Sequence, residues 1–331
     1  MTTCASPARR RLSFAALAAL GLPAPSVFAQ QAAWPSKPVR IVVPSSPGGG
    51  TDVFGRILAQ ALTEQLKQTF LVENKPGASG NIGADLVAKA EPDGYTLLVA
   101  SNSSLGINPS LYRTLPFDPE KDLAAVSRGV MAPMVVVANP ATGFKTFKDL
   151  LEFGKKRPGE GFYGSAGVGS PPYIGVRMIE ESTGTRFMHV PYKGVAPAYQ
   201  DLLSGRLQFM FTDLATIEQH IRAGKVTALA VNQKTPLLPG VPTLAEAGHG
   251  DIHAWTSFSV MAPGRTPPAL VGRIAGEIGR AMRTPAVAQR LEQQALIPVF
   301  DTPKDFAAEL QKEREHWGSF IRRHDIRPEQ S

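Results

Sequence analysis

Cysteine is almost missing from this chain. Among 331 residues only Cys4 carries a thiol, and it lies ahead of Arg9-Arg10-Arg11 and an alanine- and leucine-rich run from Leu12 to Leu22. A basic start, a short apolar run and Val27-Phe28-Ala29 before Gln30 predict a secretory signal peptide cleaved after Ala29. The general secretory route is expected; the arginines leave a twin-arginine route open, although Ser13 and the lack of a following lysine depart from that signal. Cleavage removes the one cysteine, which excludes disulfides and cysteine chemistry in the exported chain. Cys4 precedes the apolar run, so it cannot become a lipid anchor at the cleavage end. The run itself is too short for a permanent membrane span.

Clustered charge is also lacking. Loss of residues 1–29 takes three arginines and no acid from a formal charge of +7, leaving +4 over the remaining 302 residues. Scattered cations at that density exclude a nucleic-acid interface, which needs a concentrated basic stripe, and suit acidic solutes. Catalytic signatures are missing too. Tyr163 occupies the place of the first glycine in a Gly-x-Ser-x-Gly elbow around Ser165. No Gly-Lys-Ser/Thr follows the glycines at 48–50, and no dinucleotide spacing exists. His220, His249 and His253 show no metal-ligand spacing. No catalytic residue, cofactor or metal is expected, and no fixed-period repeat or low-complexity tract is visible.

What the chain does have is glycine in two telling places. Pro44-Ser45-Ser46-Pro47-Gly48-Gly49-Gly50-Thr51-Asp52 separates the β-like run Val39 to Val43 from the amphipathic run Val53 to Leu66. A glycine-rich turn from a strand into a helix N-terminus brings backbone N–H groups and the positive end of the helix dipole up to an anion. A second such turn is Ser165-Ala166-Gly167-Val168-Gly169-Ser170-Pro171-Pro172, with Ser170 suited to the N-cap and Pro171 to the first helical position. Two anion-holding turns about 120 residues apart suggest two lobes closing on one acid.

The pattern around them alternates strands and helices, which argues for α/β sheets that are parallel for the most part. Strand-like runs at 39–43, 69–73 and 95–100 alternate with helix-period runs at 52–66 and 81–90. On the first helix Val53, Ile57 and Ala61, with Phe54, Leu58 and Leu62, form one wide apolar face for packing on the sheet. A proline-rich irregular stretch covers 108–122, and the chain is expected to cross between lobes near Ala125 to Val137. A second alternation runs from 146 to 231, Trp255 to Met261 carries the chain back, and helices at 268–282, 285–294 and 303–323 complete the first lobe. The expected domains are therefore 1–29 as signal peptide, 30–130 with 256–331 as a discontinuous first lobe, and 131–255 as the second. Two crossings between α/β lobes describe a hinged clamp.

A series of motifs in fixed order now carries a resemblance. Trp34-Pro35-Ser36-Lys37-Pro38, Pro47 to Asp52, Val72-Glu73-Asn74-Lys75-Pro76-Gly77-Ala78, Asn81-Ile82-Gly83-Ala84 and Pro92-Asp93-Gly94-Tyr95-Thr96-Leu97-Leu98 come first. Asn108-Pro109, Ser165 to Ser170, His189-Val190-Pro191-Tyr192-Lys193-Gly194, Val241 to Gly248 and Ala262 to Pro267 follow. Over essentially the whole exported chain the sequence resembles the Bug receptors, the extracytoplasmic solute-binding proteins of tripartite tricarboxylate transporters.

The resemblance implies a two-lobed, type II periplasmic-binding-protein fold of Venus-flytrap kind, in which two βα turns grip a ligand carboxylate. Ser46 and Gly49, Gly50, Thr51 and Asp52 then form one jaw, and Ser165, Ala166, Gly169 and Ser170 the other. Ser101, Asn102 and Ser103 after one strand, and Asp213 after another, are implied at the cleft. Ser45 stands where an aromatic residue is common and Tyr173 where a histidine often follows the second turn, so the ligand's far end is not carried over. Read by themselves, Asp52 suits either the helix dipole or ligand contact, and Asp52 or Asp213 could pair with a ligand ammonium group. His189 is read as a structural strand residue, and Tyr192 and Lys193 either line the cleft or pack the turn. The implied protein is a monomeric periplasmic receptor that passes a small organic carboxylate (a di- or tricarboxylate, an amino acid or an aromatic acid) to membrane permease subunits. A sensor acting on a two-component kinase and, more remotely, a periplasmic hydrolase are the alternatives.

Overall fold

Residues 34–252 and 254–328 are described by a computed structural model; the signal segment at 1–29 lies outside them. The first alternation becomes β1 (Val39–Val43), α1 (Gly50–Leu66), β2 (Phe70–Asn74), α2 (Asn81–Ala88), β3 (Thr96–Ser101) and the short α3 (Asn108–Leu111). Then β4 (Leu123–Ala132) leads almost directly into β5 (Met134–Ala138), with Pro133 between them. The second alternation is α4 (Phe147–Lys156), β6 (Phe162–Ser165), α5 (Pro171–Thr183), β7 (Met188–Pro191), α6 (Val195–Leu203), β8 (Phe209–Asp213), α7 (Leu214–Arg222) and β9 (Thr227–Val231). The chain ends through β10 (Thr256–Pro263), α8 (Pro268–Met282), α9 (Pro285–Gln293), β11 (Ile297–Pro298) and α10 (Pro303–Arg323).

Among the described residues the strands form two sheets, ordered β11-β4-β10-β3-β1-β2 and β7-β6-β8-β5-β9. The expectation of mainly parallel sheets needs correction, because both are mixed. In the first, β1 pairs in parallel with β2 and β3, while β10 is antiparallel to β3 and β4. In the second, β6 runs parallel to β7 and β8, and β5 antiparallel to β8 and β9. The reversed strands β4, β5 and β10 are the ones that carry the chain between sheets. They lack the local βαβ crossover that makes neighbours parallel. The stretch from Ala125 to Val137, expected as a crossing, is two nearly continuous strands that serve both sheets.

Burial follows the pleat. Along β5, Val135 and Val137 pack on one side with Met210, Ala198 and Leu202, while Met134, Val136 and Ala138 pack on the other with Phe209, Phe211 and Ile174. A strand covered on both faces reads as a continuous apolar run, as Met134 to Ala138 does. On α1 the buried stripe is Phe54, Leu58, Ala61 and Leu62, and Gly129 of β4 leaves room for the Phe54 ring. The last helix, expected to complete the first lobe, packs into the cores of both sheets. Its Phe306 and Leu310 join Leu98 and Met261 of the first sheet, whereas Trp317, Phe320 and Ile321 join the core of the second.

Candidate functional site

The turn after β1 has its shape set by Asp52. Its carboxylate accepts the Gly48 N–H at 3.0 Å, the Arg56 Nε–H at 2.9 Å and the Asn74 amide at 2.9 Å. Gly48 takes φ +83°, which favours glycine, and Gly49 occupies the N-cap in extended conformation with no side-chain cap on α1. Burial raises the Asp52 pKa, but its hydrogen bonds and the Arg56 charge outweigh that and hold it below the usual range. Asp52 is thus a scaffold for the turn and does not line the cavity. Gly49, Gly50 and Thr51 do.

The turn after β6 repeats the design with other atoms. Gly167 and Gly169 have φ of +101° and +83°. Ser170 is the N-cap residue and Pro171 the first helical residue, but the Ser170 hydroxyl donates to the Gly167 carbonyl at 2.7 Å and leaves α5 uncapped by any side chain. Behind the turn, fully buried Ser165 accepts the Gly167 N–H at 3.1 Å and lies 2.7 Å from His189 Nε2. Burial pushes the His189 pKa down to about 4, and its ring packs edge-on against Tyr173. Ser165, with no exposed surface and its hydroxyl engaged, braces the jaw. Ala166 and Ser170 line the cavity, while Ser165, Gly169 and Tyr173 stand behind it.

Both turns open on one cavity of about 540 Å³. Ser101 and Ser103 line it, as does the neighbouring Ser104, but Asn102 does not. Asn102 is buried, donating to the Trp255 carbonyl at 3.2 Å and accepting the Ser257 N–H at 3.4 Å, which ties β3 to β10. Three hydroxyls reach across from the first-sheet side to the second. Ser46 donates to the Lys193 carbonyl at 3.0 Å, Ser79 to that of Val168 at 3.4 Å, and Ser103 to that of Gly169 at 3.1 Å.

Asp213, at the end of β8, lines the cavity with only 7% of its surface exposed, and its Oδ1 has no hydrogen-bond partner. Burial pushes its pKa up to about 6, opposed by the nearby Thr256 hydroxyl. A Cβ on Gly50 would lie 3.0 Å from Asp213 Oδ2 and 2.6 Å from the Phe258 ring. Asp213 therefore sits against the N-terminus of α1.

The sequence reading missed a third turn. Pro76 to Gly80, between β2 and α2, lines the cavity with Tyr112, Thr256 and Phe258. Ala78 and Ser79 have φ of +47° and +52°, held by Asn108 donating to the Ser79 carbonyl at 2.9 Å and Tyr112 to the Ser79 hydroxyl at 3.3 Å. Its signal was present: Lys75-Pro76-Gly77-Ala78-Ser79-Gly80 is also a proline- and glycine-containing strand-to-helix turn. Tyr192 and Lys193 line the cavity. Among the described residues no cluster of histidine, cysteine and carboxylates could hold a metal; His220 lies in the last turn of α7, His249 packs on Phe147, and His253 lies outside those residues.

Two uncapped helix N-termini facing a hydroxyl-lined cavity are suited to an acid. Comparison with known proteins places the chain in a family. The profile of the tripartite tricarboxylate transporter family receptor (TctC) matches residues 54–326. Protein BugT of Bordetella pertussis is 35% identical over 292 residues, which are 87% of this chain and 90% of BugT. The solved structure of the periplasmic binding protein BugD superposes with a TM-score of 0.84 at 30% identity, and that of R. palustris Rpa4515 with adipate with 0.86 at 31%. Each covers 89% of this chain and 99% of the other. The chain belongs to the tripartite tricarboxylate transporter receptor family, whose members are periplasmic solute-binding receptors and not enzymes.

Proposed function

We propose that this receptor captures a small organic carboxylate between the turns at 44–52 and 165–172 and delivers it to the membrane subunits of a tripartite tricarboxylate-type transporter. The supporting observation is the pair of helix starts, α1 and α5, that no side chain caps and that open on the same cavity. Backbone N–H groups and dipole ends can hold a carboxylate there without an arginine. The adipate seen in the R. palustris relative supports an acid as the solute class. In this reading residues 30–130 with 256–331 form one lobe and 131–255 the other. The segment 1–29 directs export, and the mature receptor acts as a monomer.

Closure then follows from the ligand. An acid touching both jaws favours the closed form, because only there are both sets of contacts made. The test is a thermal-shift screen of protein unfolded and refolded to remove co-purified solute, run against a broad panel of carboxylates. Ligand at about a thousand times its Kd adds roughly 4 kcal/mol of stability. Large shifts with a few structurally related acids are expected, and no shift with any acid overturns the reading.

A further inference from the structure

The cavity described for an anion already contains one. Asp213 is buried, lines the cavity, has an unpartnered Oδ1, and places Oδ2 beside Gly50 at the start of α1. A solute carboxylate gripped by the same helix start must come close to it. Two carboxylates that close together, one of them buried, repel strongly unless a cation or a proton intervenes.

Among the described residues no cation pairs with Asp213. From α1 the charged group nearest the turn is Asp52, already neutralised by Arg56. β10 contributes Thr256 and Phe258, and β5 the apolar Met134 opposite Asp213. α6 presents Tyr199, whose hydroxyl shares hydrogen bonds with Thr212 and Thr216 and whose pKa Asp213 helps to raise. Elsewhere on the lining the titratable groups are Tyr112, Tyr192 and the one cation, Lys193, which is exposed to solvent.

We infer that Asp213 and the bound acid share one proton, so that this receptor takes up a proton from solvent with each carboxylate it captures and returns it on release. The inference rests on the carboxylate-receptor reading. One proton enters the hydrogen bond between the two carboxyl groups, one net charge remains on the pair, and the N-terminus of α1 faces that charge. In the empty cleft the upward shift of Asp213 to about 6 prepares the group for this step, and the ligand's charge raises it further.

Linkage sets the expected result. Above about pH 6 the empty site is ionised, so binding must bring the proton in, and Kd weakens by up to about tenfold per pH unit until the pKa of the bound pair is reached. The probes are the acids scoring in the thermal-shift panel, with adipate and succinate always included. They are titrated calorimetrically from pH 6.5 to 8 in two buffers of different ionisation enthalpy. Wild-type protein is expected to take up about one proton per ligand at pH 7. Asp213→Asn, whose amide N–H stands where the shared proton lay, is expected to lose the uptake and the pH slope and to bind more tightly than wild type at pH 8. A flat wild-type profile without proton uptake overturns this inference and leaves the receptor reading intact. Failure of every acid to bind at any pH overturns both. The wild-type measurement decides the matter even if Asp213→Asn folds poorly.

Discussion

Asp52 and Asp213 are both acids at the ends of the same helix start, yet their surroundings assign them opposite tasks. Asp52 accepts three hydrogen bonds and stays ionised; Asp213 has an orphan oxygen and is biased toward its proton. Replacing Asp52 with Asn leaves Gly48, Arg56 and Asn74 competing for a weaker acceptor. A loss of about 1–3 kcal/mol at pH 7 is expected. Because the folded pKa is lowered, the stability that Asp52 contributes is present above its unfolded value of about 3.9 and is lost as pH falls through the folded one. Denaturant melts of Asp52→Asn and wild type should therefore diverge at pH 7 and converge near pH 2. Gly50→Ala tests the neighbouring position. Its methyl would meet the Phe258 ring at 2.6 Å and intrude on the place of the ligand, so thermal shifts by acids should vanish while the apo protein still melts cooperatively. Retention of the wild-type ligand shift would show that Gly50 can give way.

At the scale of elements, the jaws are positioned by close helix–strand approaches. Gly175 of α5 lies so near Phe211 of β8 that a Cβ would stand 2.3 Å from the ring, and this contact sets where the second turn meets the cavity. Gly175→Ala is expected to cost about 1–3 kcal/mol through overpacking, with a further weakening of ligand binding as α5 is pushed outward. Equilibrium unfolding and ligand titration on the same variant measure the two effects. The helices themselves were legible: α8 at 268–282 and α10 at 303–323 begin at proline and keep their apolar period. The turn at 76–80 was not read as a jaw. Its left-handed Ala78 and Ser79 are imposed by Asn108 and Tyr112 from a distant part of the chain, a conformation that no local preference for alanine or serine predicts.

The whole molecule adds a connection that neither sheet has alone. Helix α10 runs from the core of the first sheet into that of the second, and Glu313 lies along the way, 6% exposed, with one oxygen 3.5 Å from the Trp255 indole nitrogen. Burial pushes its pKa up to about 7, opposed by the Trp255 N–H and the Arg128 charge. A raised carboxyl pKa favours the native state at low pH. That stability is fully present below about 4.3, the unfolded value, and is lost as pH rises toward 7. Glu313→Gln should accordingly gain in Tm relative to wild type at pH 8 compared with pH 5. An equal difference at the two pH values would mean that Glu313 is already ionised in the folded protein.

Some of this protein was determined by its sequence alone. The two glycine-rich βα turns and the alternation into α/β layers follow from φ preferences and periodicities that neighbours along the chain set for one another. Which serines face the cavity and which brace it was decided only in three dimensions: Ser170 lines it, while Ser165 turns back to His189. The same holds for Asp213. Its burial, its orphan oxygen and its place beside Gly50 depend on β8, β10 and α1 meeting, and desolvation is a property of everything packed around a group and not of its position in the chain.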